Sequence, residues 1–348
     1  NKVGRIIVIL LISGFIFASC KIKEKAVDMK NPLLIDFNTP FGVPPFKQIK
    51  TPDFLPATRE AIKIHDQEIE KIIKNSEAPD FQNTIVAIDH SGSLLYRVQS
   101  IFHNLNSSLT SDSMHQIDET LAREISAHYD AMILNSDLFA RVKAVYDRIG
   151  TLSLSREDSM LLDGTYKQFV RGGANLSVEG KEKMKKINEE LSILSVKFSQ
   201  NVLGETNSIK LVIDKKEDLS GLPEAVIYSA AESAKEAGSE GKWIFTVQKP
   251  SMIPFLTYAD NRQLREKLHK AYTNLANNGN EYDNKELISK IIALKADRAA
   301  LLGYKTHADY VLEVNMSKTP EKVNTFLDQI WTKAMPVAKA EASELQKL

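Results

Sequence analysis

Apolar residues recur at intervals of three and four along most of this chain, and that period admits little besides helix. Met184, Ile187, Leu191, Leu194, Phe198 and Val202 follow steps of 3, 4, 3, 4 and 4, which line one face of a helix. Lys183, Lys185, Glu189, Glu190 and Lys197 fall mainly off that stripe. The same period runs through Asp53 to Asn75, Phe81 to Leu105, Asp112 to Ile133, Ser155 to Arg171 and Ser177 to Val202, and each is expected as one helix. Residues at the ends agree with the period. Ser155 with Asp158, Thr306 with Asp309, and Thr319 before Pro320 supply N-terminal caps and a first-turn proline. Gly172 and Gly173 end the helix that precedes them.

One stretch has strand period. Ile209, Leu211 and Ile213 alternate with Lys210 and Val212, and Trp243, Phe245 and Val247 alternate with Ile244, Thr246 and Gln248. Pro223 to Gly238 between them reads as a helix, so a parallel pairing through a crossover is expected. Pro250 and Pro254 close this region, and from Asp260 the period is helical to the end. The fold class that follows is mainly α with a small β element near 209–213 and 243–248.

With 348 residues, 43% of them apolar and 26% charged, the chain can bury one or two cores. Lys plus Arg number 45 and Asp plus Glu number 45, so no net field draws a polyanion, and nucleic acid is not an expected partner. The first residues are of another kind. Lys2 and Arg5 precede the apolar run Ile6 to Leu11, which continues to Phe17 and leads through Ala18 and Ser19 to Cys20. The run is about a dozen residues, whereas crossing a bilayer as a helix takes roughly 20. It reads as a lipoprotein-type signal over 1–20, with cleavage before Cys20, lipid on its thiol and a polar tether over 21–36. A plain secretory signal and a short buried helix are the alternatives. Cys20 is the only cysteine, so it has no internal disulfide partner. The remainder divides into a helical region at 37–206, a mixed α/β element at 207–258 and the start of a larger helical body at 259–348.

The histidines are His65, His90, His103, His115, His128, His269 and His307, and none is followed by Glu or by a second histidine four residues on. A zinc-peptidase helix needs both. His90 and His103 fall on what is expected as one long helix, where polar or capping roles suffice. Neither a G-x-S-x-G elbow nor a G-x-x-x-x-G-K-[ST] loop occurs. No catalytic and no metal-binding residue is assigned in this chain, and Cys20 is its single site residue.

Several blocks, in order, carry a resemblance. Thr39-Pro-Phe-Gly-Val-Pro-Pro-Phe46, Phe81-Gln-Asn-Thr-Ile85, Phe139-Ala-Arg-Val-Lys143 and Phe169-Val-Arg-Gly-Gly-Ala-Asn-Leu-Ser177 are followed by Lys197-Phe-Ser-Gln-Asn-Val202 and Pro254-Phe-Leu-Thr-Tyr-Ala-Asp-Asn261. Arg265 to Tyr272, Asp283-Asn284, Leu301-Leu-Gly-Tyr304, Ala308-Asp-Tyr310 and Met316 with Thr319-Pro320 complete the series. From about Phe37 onward the chain resembles the N-terminal half of the thimet oligopeptidase family, in particular the bacterial peptidyl-dipeptidases of Dcp type. The resemblance implies a helical, two-lobed shell around a channel that admits short unfolded peptides, and one zinc per full-length monomer, held by an H-E-x-x-H helix and a further Glu beyond Leu348. It implies C-terminal dipeptide release or internal oligopeptide cleavage. The rival reading is a helical lipoprotein that binds peptides or a protein partner without catalysis.

Two expectations complete the reading. From Pro320 onward Val323, Phe326, Leu327, Ile330, Trp331, Met335, Val337, Ala338, Leu345 and Leu348 form an apolar surface too broad for a half-exposed helix, which either lacks a covering surface or packs against the helices of 260–302. The signal reading places the product on a membrane, on the periplasmic side. Cells fed labelled fatty acid should therefore incorporate label into the wild-type protein and not into Cys20→Ser; equal labelling of both would refute lipid attachment at Cys20.

Overall fold

The computed structural model describes residues 31–347, so Cys20 and its surroundings lie outside the described residues. The chain is mainly helical. It begins with α1 (Phe54–Ile73), a π-helical segment Phe81–Val86, α2 (Ala87–His90), α3 (Ser93–Ser108), α4 (Asp112–Ile133), α5 (Ser136–Tyr146), α6 (Arg156–Arg171) and the long α7 (Val178–Ser208). There follow β1 (Lys210–Ile213), α8 (Glu224–Glu236), β2 (Trp243–Thr246), α9 (Lys249–Tyr258), α10 (Arg262–Thr273), α11 (Lys285–Leu301), α12 (His307–Leu312) and α13 (Pro320–Leu345). Among the described residues no helix is long and apolar enough to cross a membrane.

Local chemistry sets many of these boundaries. The Ser155 hydroxyl accepts the Asp158 N–H at 3.0 Å, Thr306 accepts that of Asp309 at 3.1 Å, and Thr319 accepts that of Lys322 at 3.3 Å, each satisfying a donor the helix leaves unpaired. Gly173, at φ +101, turns the chain out of α6, a conformation that L side chains rarely adopt.

Two expectations need correction. The segment Phe81 to Leu105 is not one helix: it is broken at Ser91 and Gly92, so His90 ends α2 while His103 lies in α3. Gly92 takes φ +71, and a Cβ there would lie 2.7 Å from the His65 ring, so the chain must turn at this glycine to let α1 pass. The second correction concerns the strands, which pair antiparallel, with Lys210 opposite Thr246 and Ile213 opposite Trp243. Alternation of exposed and buried residues along β1 gives the reason. A sheet with one wet face suits antiparallel pairing, whereas parallel strands are generally covered on both faces. Gly238 and Gly241, both at positive φ, turn the chain after α8 so that β2 runs back along β1.

Three apolar cores hold the helices. The first joins α1, α3 and α4 through Leu33, Phe54, Ala61, Val98, Phe102 and Leu121, with Phe54 and Phe102 edge to face at 5.2 Å. The second joins the end of α1, the π segment, α5 and α6 through Ile72, Ile85, Leu138, Val142, Leu162 and Phe169. The third lies under the hairpin, where Leu211, Ile213, Phe245, Phe255 and Leu268 meet. Fully buried rings such as Phe102, Phe169 and Phe255 each contribute about 1.5–3 kcal/mol from transfer out of water.

Polar burial locks the middle of the chain. Glu205, 2% exposed near the end of α7, accepts hydrogen bonds from the Ala276 N–H, from Asn278 Nδ2 at 2.8 Å and from Asn280 Nδ2 at 2.6 Å. Next to it Asn201 Nδ2 donates to Asn284 Oδ1 at 2.9 Å, and Asn284 Nδ2 donates to the Phe198 carbonyl at 3.1 Å. Burial pushes the Glu205 carboxyl upward, but the Asn280, Asn278 and Ala276 donors outweigh it and hold it below the usual glutamate range. A lowered folded-state value means that Glu205 stabilises the fold above the ordinary glutamate value of about 4.3 and loses that contribution as pH falls through its lowered value. Glu205→Ala should therefore cost about 2–4 kcal/mol in denaturant unfolding at neutral pH, and the difference from wild type should shrink in acid; a difference that stays constant down to pH 2 would contradict the charge-based account.

Candidate functional site

Helix α6 carries an open surface with a cleft on either side. One cleft, of about 600 Å³, is bounded by His65, Ser91, Gly92, Tyr96 and Tyr129. The other, of about 760 Å³, is bounded by Lys167, Arg171, Tyr304, Glu313 and Lys318. Met160, Gly164 and Gln168 of α6 line both. Both volumes fall within the ~300–1,000 Å³ usual for sites that take small ligands.

The first cleft is backed by two buried histidines that sequence spacing does not reveal. His65 of α1 and His128 of α4 are 4% and 6% exposed, and His128 Nε2 lies 2.9 Å from His65 Nδ1 in hydrogen-bonding geometry. His65 Nε2 is 3.1 Å from Ser91 Oγ. On the far side His128 Nδ1 faces Asp66 Oδ1 at 2.9 Å, out of line for a hydrogen bond. Burial first, and the neighbouring His128 second, lower the His65 pKa below the ordinary histidine value. The order carboxylate, imidazole, imidazole, hydroxyl suggests an activated serine, but the proton positions argue otherwise. Ser91 has one hydroxyl proton and donates it to the Ile88 carbonyl at 2.7 Å, so it can only accept from His65. A nucleophilic serine must give its proton to the base. The pair therefore joins α1, α4 and the turn before α3.

The second cleft is built on Arg171. Its guanidinium donates to the Tyr310 carbonyl at 2.7 Å, to the Tyr304 hydroxyl at 3.3 Å and to the Glu313 carboxylate, and it lies 4.4 Å from the Tyr310 ring centre. Tyr304 also donates to Glu313 Oε2 at 2.6 Å. Tyr304, and then Arg171, hold Glu313 below the usual carboxylate range against the opposing effect of burial. Burial and the Glu313 carboxylate raise the Tyr304 pKa. The Arg171 charge is thus spent within the chain, tying α6 to α12. Lys167 is likewise paired with Asp163 at 2.6 Å.

Gly164 interrupts the interior of α6 at a cost of about 0.5–1 kcal/mol relative to alanine. Nothing lies within 4 Å of where its Cβ would be.

Among the described residues no group of three or more His, Cys, Asp or Glu side chains is placed to hold a metal ion. His65 and His128 spend facing ring nitrogens on each other, and His90 and His103 stand on separate helices. The surface offers binding groups rather than reacting ones. The blocks of the sequence resemblance meet here and elsewhere: Arg171 comes from the block 169–177, Tyr304 from 301–304 and Tyr310 from 308–310. No spacing rule could have found these partners, which lie 133 and 139 residues apart.

Residues 255–348 match the family model described as Peptidase family M3. Across 314 residues the chain is 34% identical to a dipeptidyl carboxypeptidase of Escherichia coli, an alignment that takes in 90% of this chain and 46% of that protein. The dipeptidyl carboxypeptidase of Salmonella typhimurium is 33% identical over 318 residues, 91% of this chain and 47% of the relative. An oligopeptidase A of Haemophilus influenzae is 30% identical over 326 residues, with 92% and 47% covered. The chain spans about half the length of the curated relatives it matches. These likenesses, joined to the ordered blocks from Phe37 onward, put the chain in the thimet oligopeptidase family, peptidase family M3.

Proposed function

We propose that this chain is the N-terminal part of an exported zinc metallopeptidase that hydrolyses short peptides and releases dipeptides from their C-termini, and that this part forms one wall of the peptide channel. The observation that carries the reading is a likeness to dipeptidyl carboxypeptidases that takes in nine-tenths of this chain but less than half of each relative. Side-chain geometry is in keeping with a supporting role. The described residues do not fit a zinc ion, since the buried histidines are turned on each other and the carboxylates of the open cleft, Asp163 and Glu313, are already paired with Lys167 and Arg171. The ligands belong to the remaining part of the full-length protein, where zinc would polarise a peptide carbonyl and activate water.

The state of α13 supports a partner surface of the same protein. It packs on α12, and no residue along it is buried. Phe326 is 61% exposed, Ile330 50% and Trp331 65%. The alternative, that α13 closes against the helices of 260–302, fails on these exposures. For export we rely on the charged and apolar leader and Cys20, which would set the chain on the periplasmic face of a membrane through its lipid.

Two measurements test the reading. The product of the full gene should bind one zinc and release C-terminal dipeptides in a reaction that a chelator abolishes, while residues 31–348 alone should do neither; tight zinc with chelator-sensitive hydrolysis in residues 31–348 would overturn it. Hydrogen exchange should be fast at amides of 320–348 in the short polypeptide and much slower in the full-length protein. Equal rates in both would favour a self-contained binding protein.

A further inference from the structure

We infer that the outer face of α6 is a binding strip for an extended peptide, with the open position at Gly164 receiving the peptide main chain; this rests on the peptidase reading above. Met160, Gly164 and Gln168 stand at four-residue steps and so share one face of α6, and both clefts open onto that face. Gly164 is the informative residue. It sits inside a helix, takes no positive φ, and has empty space where a side chain would stand, so nothing in the described residues calls for glycine. A glycine that its own fold does not need leaves helix backbone open to the close approach of another main chain.

The flanking groups indicate what kind of ligand. The Gln168 amide, engaged by no neighbour among the described residues, can both donate to and accept from a peptide unit. Met160, 64% exposed, and Tyr96, 74% exposed, offer adaptable apolar contact beside it. The charges that α6 itself brings to the strip are already paired, Lys167 with Asp163 and Arg171 with Glu313, and the clefts beside it add only Lys318 and Asp89. A strip of this make-up suits the neutral middle of a peptide more than a charged terminus or a phosphate. Length agrees too. From Met160 to Arg171 the helix rises about 16 Å at 1.5 Å per residue, the span of about five residues of extended chain at 3.3 Å each.

The test uses the full-length protein with its zinc removed, so that bound peptide survives, and a seven-residue peptide bearing a benzophenone side chain at its centre. Irradiation should attach the probe within α6 or at Tyr96, and Gly164→Trp, which fills the open position, should lower that yield about tenfold. In the zinc-loaded enzyme Gly164→Trp should raise KM about tenfold for peptides of five or more residues with kcat unchanged, the pattern of lost uniform binding. Zinc content should match wild type and Tm should not fall, and Gly164→Ala, which adds only a Cβ at the open position, should raise KM by a smaller factor than Gly164→Trp does. An active enzyme whose probe attaches elsewhere and whose KM is indifferent to Gly164→Trp would overturn the strip alone. A wild-type protein that neither attaches the probe nor cuts any peptide would overturn the strip and the peptidase reading together.

Discussion

The constraint on which the rest of this structure depends is the length of α7. Thirty-one helical residues rise about 46 Å, further than any one neighbour covers, so α4 packs along it and α11 packs along it as well. Its amphipathic stripe is correspondingly only part buried: Met184 and Leu191 are closed off, while Phe198 remains 36% exposed. What fixes α7 against its later partners is polar. Glu205 and Asn201 are buried near its C-terminal end and collect the loop between α10 and α11, so that α11 starts in a set place. Apolar contact alone would let α11 slide along the stripe; a carboxylate saturated by three named donors has a single register.

This arrangement explains why much of the fold was legible in the sequence and some of it was not. Helix period and caps are local, so the stripe from Met184 to Val202 and the caps at Ser155, Thr306 and Thr319 are found where the residues put them. The break at Gly92 is not local. Apolar period continues through Phe81 to Leu105, and only the arrival of His65 from α1 requires the turn. Strand direction fails for a related reason: alternation defines a strand but is silent on its partner, and the helix between β1 and β2 suggested a crossover that Gly238 and Gly241 undo. The candidate site was less legible still, because its residues become neighbours only in three dimensions.

The blocks that carry the family resemblance have a common physical use. Arg141, from 139–143, donates to Asn83 Oδ1, from 81–85, at 3.1 Å. Asn201, from 197–202, donates to Asn284 at 2.9 Å, and Arg171 engages Tyr304 and Tyr310. These seven blocks thus supply the two halves of directional bonds between distant parts of the chain. Such bonds are demanding of residue type, since removing one partner leaves a buried polar group unpaired at roughly 1–3 kcal/mol. Apolar core positions accept exchange among Leu, Ile, Val and Met far more readily. A block of this kind is therefore a place where a polar contact between elements had to be met, and need not be a place where chemistry occurs.

Polar and apolar closure differ across the molecule, and the difference bears on how its parts fold. The three cores and the Glu205 cluster lie between Leu33 and Asn284, and the Arg171 contacts extend that closure to Glu313. Beyond it α13 buries no residue, with Leu327 53% and Val337 58% exposed. A helix that buries no residue depends largely on its own backbone bonds and on caps such as Thr319, and isolated helices are marginal even at some length. The body up to Glu313 accordingly needs nothing from α13 to fold, whereas α13 needs a covering surface to be held. Folding would then proceed from the closed body outward, with α13 settling last, when its apolar side chains meet the surface that excludes water from them.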